Sequence, residues 1–238
     1  MANNYFRFKE FTILQEVCAM KVCTDSCLFG AWVCESMGNK KTSNLLDIGT
    51  GTGLLSLMLA QKFTEVQCHC IEIEKDTSEE AKLNFENSIW SNRFEVFNQD
   101  FRTYSTNIKY DLIICNPPFY SNQLISQDNK RNAAMHSSEF SLEDLFNYSN
   151  SLIDQDGYLA CLIPYNRTTE TVDIIEKAGW YISKVAFVKQ TSKHDFFRTM
   201  LLCKIESIPI EEEIITIKEN QDYTKEFSTL LKDYYLFL

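Results

Sequence analysis

The sequence has no apolar run near the ~18 residues of a membrane span. Its opening segment, Met1-Ala2-Asn3-Asn4-Tyr5-Phe6-Arg7, lacks a basic stretch followed by an apolar core. Neither a spanning helix nor a secretion leader is expected, and the location expected is the cytoplasm. Glycine (7) and proline (4) are scarce, no segment is repeated and no tract is of low complexity. That leaves no linker at which to divide the chain. One domain over residues 1–238 is expected, with a small N-terminal extension (about 1–40) and a C-terminal strand/helix tail (about 206–238). Histidine is rare and scattered (His69, His136, His194), and the 9 cysteines show no C-x-x-C spacing. No metal is expected, and the thiols read as reduced, small hydrophobes. An excess of positive charge is also missing: the formal net charge is −10. Broad, sequence-independent affinity for nucleic acid needs lysines and arginines to neutralise phosphates.

Local charge departs from that average. Glu206, Glu211, Glu212, Glu213 and Glu219 crowd the tail, whereas Lys184, Lys189, Lys193, His194, Arg198 and Lys204 cluster before it. Lys130 and Arg131 form a second basic pair. Patches rather than totals decide where a phosphate backbone can lie, although such runs also serve simply as solvated faces.

Strand and helix patterns alternate along the chain. Residues 44–48, 66–73, 94–97, 111–115 and 158–163 read as strands, and 180–188 with 199–205 as an antiparallel pair. Helices are expected from Leu54, from a Thr77/Glu80 capping box through about Asn87, from Ser141, and from Thr168 to Gly179. Tyr5-Phe6-Arg7-Phe8 with Phe11 and Ile13 suggests a small hairpin. The expected fold is a Rossmann-like, doubly wound, mostly parallel sheet with an antiparallel edge. In such sheets ligands bind beyond the carboxyl ends of the strands, a rule that gathers Asp47, Glu72, Asp100 and Asn116 at one edge.

Two motifs carry the chemistry. Asn116-Pro117-Pro118-Phe119 follows the apolar run 112–115. Consecutive prolines stiffen the backbone where the strand ends, and they hold a carboxamide beside an aromatic ring. The Asn116 side-chain oxygen and the Pro117 carbonyl are neutral acceptors, able to take both hydrogens of a planar amino group while Phe119 stacks on its ring. Upstream, residues 44–48 run into Gly49-Thr50-Gly51-Thr52-Gly53. Its G-x-G-x-G spacing differs from the dinucleotide fingerprint, and Asp47 just before it would repel a phosphate but suit a cationic amino-acid group or a polar nucleoside. Either motif alone also reads as plain structure, a loop ending a strand or a strand-to-helix turn.

Together the two motifs resemble the class I S-adenosylmethionine-dependent methyltransferases, and more narrowly those that methylate an exocyclic or amide nitrogen. Ala19-Met20-Lys21-Val22, Thr24-Asp25, Leu28, Gly30-Ala31-Trp32, residues 54–61 and the closing Tyr234-Tyr235-Leu236-Phe237-Leu238 extend the likeness over essentially the whole chain. That order is similar to the bacterial valine-tRNA adenine-N6 methyltransferase family, which modifies adenosine 37 beside the anticodon. The resemblance implies a seven-stranded sheet, S-adenosylmethionine as cofactor and the anticodon loop of a tRNA as partner, with no obligate protein partner. It implies that Glu72 accepts from the donor's ribose hydroxyls, although a strand-end acid can be merely superficial. Asp100 would accept from the donor's adenine amine and Phe101 would cover that ring; a turn-forming aspartate explains Asp100 as well. Thr24 and Asp25 would approach the methionine end, or serve only as N-caps of the helix starting at Ser26. Lys130, Arg131, His136, Lys193, His194 and Arg198 are the candidate tRNA contacts. Family members often carry an arginine near Met135, so His136 or Arg131 must substitute for it here or docking differs.

Two other functions share these motifs. Release-factor glutamine methyltransferases use a similar Asn-Pro-Pro corner but resemble this chain less at both ends. A non-catalytic RNA-binding module would keep the fold without needing Asp47, Gly49, Gly51, Glu72 and Asn116.

Overall fold

A computed structural model describes residues 3–18, 20–117 and 140–238. The hairpin expected at the N-terminus is present, β1 (Tyr5–Arg7) pairing antiparallel with β2 (Thr12–Leu14). Helix α1 (Thr24–Met37) leads into β3 (Asn44–Ile48), α2 (Leu54–Lys62), β4 (Gln67–Glu72), α3 (Lys75–Glu86) and β5 (Phe94–Asn98). Then follow β6 (Tyr110–Cys115), α4 (Leu142–Ser149), β7 (Ile153–Pro164), α5 (Thr168–Lys177), β8 (Tyr181–Thr191) and β9 (Phe196–Lys204). The tail adds β10 (Glu211–Glu219), β11 (Asp222–Tyr223) and α6 (Lys225–Leu231).

The main sheet has 9 strands in the order β11-β10-β8-β9-β7-β6-β3-β4-β5. Two features differ from the expectation. The sheet gains β10, which runs parallel to β8, and the two-residue β11 beyond it. Antiparallel β9 lies inside the sheet, between β7 and β8, not at an edge. Its run 199–204 is buried throughout, as an interior strand requires.

Alternation along the strands divides the interior into two cores. In β6, Leu112 and Ile114 face one side with α1, α2, α3 and α6, while Ile113 and Cys115 face the other with α4 and α5. The nine cysteines are free thiols, and eight of them are buried. Helix α1 is buried nearly all round, Cys27 to Cys34 being enclosed. Residues 156–157 form an irregularity within β7 where a turn was expected, and the pairing with β6 shifts register there. A Cβ at Gly157 would lie 2.7 Å from the Tyr110 carbonyl oxygen, so only glycine lets the strands approach.

The chain reverses direction across the sheet between β3 and β6, which run parallel as neighbours. That topological switch opens a crevice at the carboxyl ends of the strands.

Candidate active site

A cavity of ≈ 400 Å³ occupies the crevice, within the range of small-molecule sites. Its floor is the turn between β3 and α2. Gly49, Gly51 and Gly53 all have left-handed backbones, with φ of 70°, 55° and 81°. They serve different ends. A side chain at Gly49 would meet nothing within 4 Å, so there the main chain itself faces open space. A Cβ at Gly53 would sit 2.5 Å from the Phe85 ring, so that glycine serves packing.

Asp47 is not in the cavity wall; it is buried beneath the turn. Its Oδ2 accepts from Thr50 Oγ1 (2.8 Å) and Ser56 Oγ (2.7 Å), and Oδ1 has no partner. Burial pushes its pKa up to about 6, against the two hydroxyls that lower it. The carboxylate thus shapes the loop from below. Glu72, at the end of β4, does form part of the wall. Its Oε2 accepts from Gly51 N and its Oε1 from Glu74 N, each at 3.0 Å, which fixes both oxygens while leaving lone pairs for a ligand.

Asp100 and Phe101 also line the cavity. Asp100 behaves as the turn-former: Oδ1 accepts from Arg102 N (2.9 Å), and both oxygens grip the Arg102 guanidinium, which holds its pKa below the usual carboxylate range. Phe101 is buried and meets Phe140 edge-on at 5.8 Å between centroids.

Thr24 and Asp25 do not line the cavity. Nor are they caps, since the helix begins at Thr24 with Cys23 as the capping position. Thr24 is exposed, while Asp25 pairs with Arg198 Nε at 2.7 Å, tying α1 to β9. The cavity instead takes Cys18, Met20, Lys21, Val22 and Ser26 from this part of the chain. Glu80 explains how. The Thr77/Glu80 capping box does not form, because α3 starts earlier, at Lys75. The Glu80 carboxylate accepts from the backbone N–H groups of Glu16 (2.6 Å), Val17 (3.0 Å) and Cys18 (2.9 Å), binding the N-terminal strap to α3. One turn on, Asn84 Nδ2 donates to both Leu14 O and Thr52 O at 2.9 Å. Strap, glycine turn and α3 are thereby one assembly.

Asn116 lies in the cavity wall directly after β6, next to buried Pro117. Its Nδ2 donates to Ser26 Oγ (3.0 Å) and to Met20 Sδ (3.7 Å), and its buried Oδ1 has no partner. Of the other candidates, Pro118, Phe119, Lys130, Arg131, Met135 and His136 lie outside the described residues. Lys193 and His194 are exposed in the β8–β9 turn, where His194 Nδ1 and Thr191 Oγ1 are 2.7 Å apart. They stand apart from the cavity lining, and Arg198 is engaged with Asp25. Sequence reasoning missed Ser26, Met20, Arg102, Phe140 and Glu80 as contributors.

The strand order, the glycine turn and the cavity at the switch point define a class I methyltransferase fold. Among solved structures, a predicted O-methyltransferase from Agrobacterium tumefaciens superposes with a TM-score of 0.65 at 15% identity, covering 87% of this chain and 95% of that one. A putative RNA methyltransferase from Pyrococcus horikoshii gives 0.56 at 15% identity, over 76% and 81%. Residues 30–177 match the family described as the methyltransferase small domain. Among curated relatives, the tRNA1(Val) (adenine(37)-N6)-methyltransferase of Parabacteroides distasonis is 36% identical over 99% of both chains. That of Trichodesmium erythraeum is 38% identical over 99% of both. The chain belongs to the methyltransferase small-domain family, together with these tRNA1(Val) (adenine(37)-N6)-methyltransferases. Among the described residues, no helix is long and apolar enough to cross a membrane.

Proposed function

We propose that this protein transfers a methyl group from S-adenosylmethionine to the exocyclic N6 amine of adenosine 37, beside the anticodon of tRNA(Val). The observation that carries the reading is the Asn116 carboxamide oxygen: a neutral acceptor, buried and unpartnered, on a residue in the wall of a ligand-sized cavity. A buried acceptor without a partner costs free energy unless a ligand supplies the donor. The full-length relatives support the choice of an adenine amine over a glutamine amide.

The cavity residues fit the cofactor. Glu72 presents a buried carboxylate whose remaining lone pairs suit the two ribose hydroxyls, and Gly49 leaves the main chain open to a ligand. Phe101, with Phe140, offers apolar cover for an adenine ring; Asp100 and the neighbouring Gln99 offer its polar contacts. Bound there, S-adenosylmethionine supplies an activated methyl group on a sulfonium. The protein's task is then to position a weak nucleophile, because the lone pair of an aromatic amine is delocalised into its ring. Asn116 Oδ1 and the Pro117 carbonyl would take the two amine hydrogens and favour rehybridisation of the nitrogen. Holding the reacting atoms in line contributes on the order of 7–11 kcal/mol in favourable cases. The amine proton leaves after attack, once nitrogen carries positive charge, so no side chain is needed as a strong base.

Phe119 would stack on the target base, and Lys130, Arg131 and His136 would meet the anticodon loop. Lys193, His194 and Arg198 would extend that contact around the β8–β9 turn. A loop base costs less to unstack than a paired one. We place the reaction in the cytoplasm and require no partner protein.

Asn116→Ala tests the reading directly. Methyl transfer to unmodified tRNA should fall by on the order of 10²–10³, while calorimetry shows donor affinity unchanged. Full turnover in that variant would exclude the assigned role.

A further inference from the structure

A carboxamide has two faces, and only one flip of Asn116 serves the reaction. With Oδ1 toward the amine the side chain accepts a hydrogen; with Nδ2 there it would present a donor to a donor. Two groups that share the cavity wall with Asn116 and sit against its amide nitrogen select between them. Ser26 Oγ lies 3.0 Å from Asn116 Nδ2, and Met20 Sδ lies 3.7 Å from it. A thioether has no hydrogen to give, so it matches only the amide nitrogen. The Ser26 hydroxyl is itself 3.0 Å from Cys23 Sγ, and with its proton directed there its lone pairs are left for Nδ2. The serine is held in place. It is buried in the first turn of α1, and its N–H donates to Asp25 Oδ1 (3.1 Å), whose other oxygen binds Arg198 on β9.

We propose that Ser26 is a positioning residue that fixes the flip of the Asn116 carboxamide, directing Oδ1 toward the substrate amine. The inference rests on the methyl-transfer reading above. Nothing in sequence spacing links positions 26 and 116; the connection exists only because α1 packs beside the end of β6.

The test is a double-mutant cycle on the full chain, measuring single-turnover methyl transfer to unmodified tRNA, donor affinity by calorimetry and thermal midpoint. Ser26→Ala should slow transfer by roughly tenfold, the scale of one lost ordering hydrogen bond. The thermal midpoint should stay at its wild-type value, and donor affinity, to which Ser26 contributes only as part of the cavity wall, should change by less than the rate does. In an Asn116→Asp background the two oxygens are equivalent and no flip remains to be chosen. There Ser26→Ala should change the rate by less than about twofold. Equal losses in both backgrounds, or a loss that follows donor affinity or thermal midpoint, would mean a merely structural serine and overturn the proposal. An unaffected Ser26→Ala beside an inactive Asn116→Ala would overturn it too, leaving the methyl-transfer reading standing. Full turnover in Asn116→Ala would remove both. Should Asn116→Asp prove inactive, Ser26→Thr decides: it keeps the hydroxyl, so recovery of the rate sustains the proposal and failure to recover overturns it.

Discussion

Asp47 shows how a single side chain can be essential to a loop and costly to the fold. Its Oδ1 is buried without a partner, and two hydroxyls hold Oδ2. Burial raises the folded-state pKa from 3.8 to about 6, with the nearby Glu72 adding to the rise. The folded protein therefore binds this proton more tightly than the unfolded chain does. The associated stability is fully present below about pH 4 and is lost as pH rises through about 6. At neutral pH the charged form costs about 3 kcal/mol, from roughly two pKa units at 1.36 kcal/mol each. Asp47→Asn removes that titration and keeps an oxygen for the two hydroxyls. Measured by urea unfolding, its stability relative to wild type should rise between pH 4 and 7 by up to about this amount. A difference that stays flat across that range would show that Asp47 does not titrate there.

At the scale of elements, the glycine turn is held from outside as much as from within. Glu80 and Asn84, one turn apart on α3, clamp the strap and the turn that together make one side of the cavity. Neither of them lines it. Glu80→Gln leaves one acceptor oxygen for three N–H groups and turns an amide N–H2 against them. It should cost about 2 kcal/mol of stability, on the scale of hydrogen bonds to a charged group. Donor affinity should drop roughly tenfold as the strap loosens, at 1.4 kcal/mol per decade. Calorimetry reads that loss, and unchanged affinity would mean that the strap keeps its place without Glu80. This arrangement also marks where the sequence stops being legible. Strands such as 44–48 and 111–115 were readable because short continuous apolar runs, and the glycine and proline breaks that end them, are local signals. Glu80 was read as half of a capping box because its real partners lie far off in sequence, and that box carries the same residue types. Thr24 and Asp25 failed for the same reason, since only the α1–β9 ion pair reveals what Asp25 holds. That Glu72 and Asn116 line the cavity needed only the rule that ligands bind at the carboxyl ends of strands.

For the whole molecule, the decisive feature is how its two ends close over α1. A surface helix would show one apolar stripe, but α1 is enclosed on nearly every side. The sheet covers one flank, and the tail covers another through Phe227, Leu231 and Tyr234, with Ile215 and Ile217 of β10 in the same core. Tyr234 Oη donates to Cys34 Sγ (3.2 Å) and Met58 O (3.3 Å), and Glu213 accepts from the Trp32 indole N–H and pairs with Lys184 at 3.2 Å. The N-terminal hairpin joins the same seam, where Lys9 N donates to Tyr234 O at 2.9 Å. Part of the negative charge concentrated in the tail is thus structural. Five large apolar side chains at ~1.5–3 kcal/mol each amount to roughly 10 kcal/mol, comparable with the entire stability of a typical domain. A chain ending at Ile205 would lose these contacts together and lay bare Trp32. It should show no cooperative thermal transition, and its tryptophan emission should shift to the red as Trp32 meets water. A truncated chain with native near-ultraviolet circular dichroism and a sharp melt would instead make the tail an accessory, with α1 able to hold its place on the sheet alone.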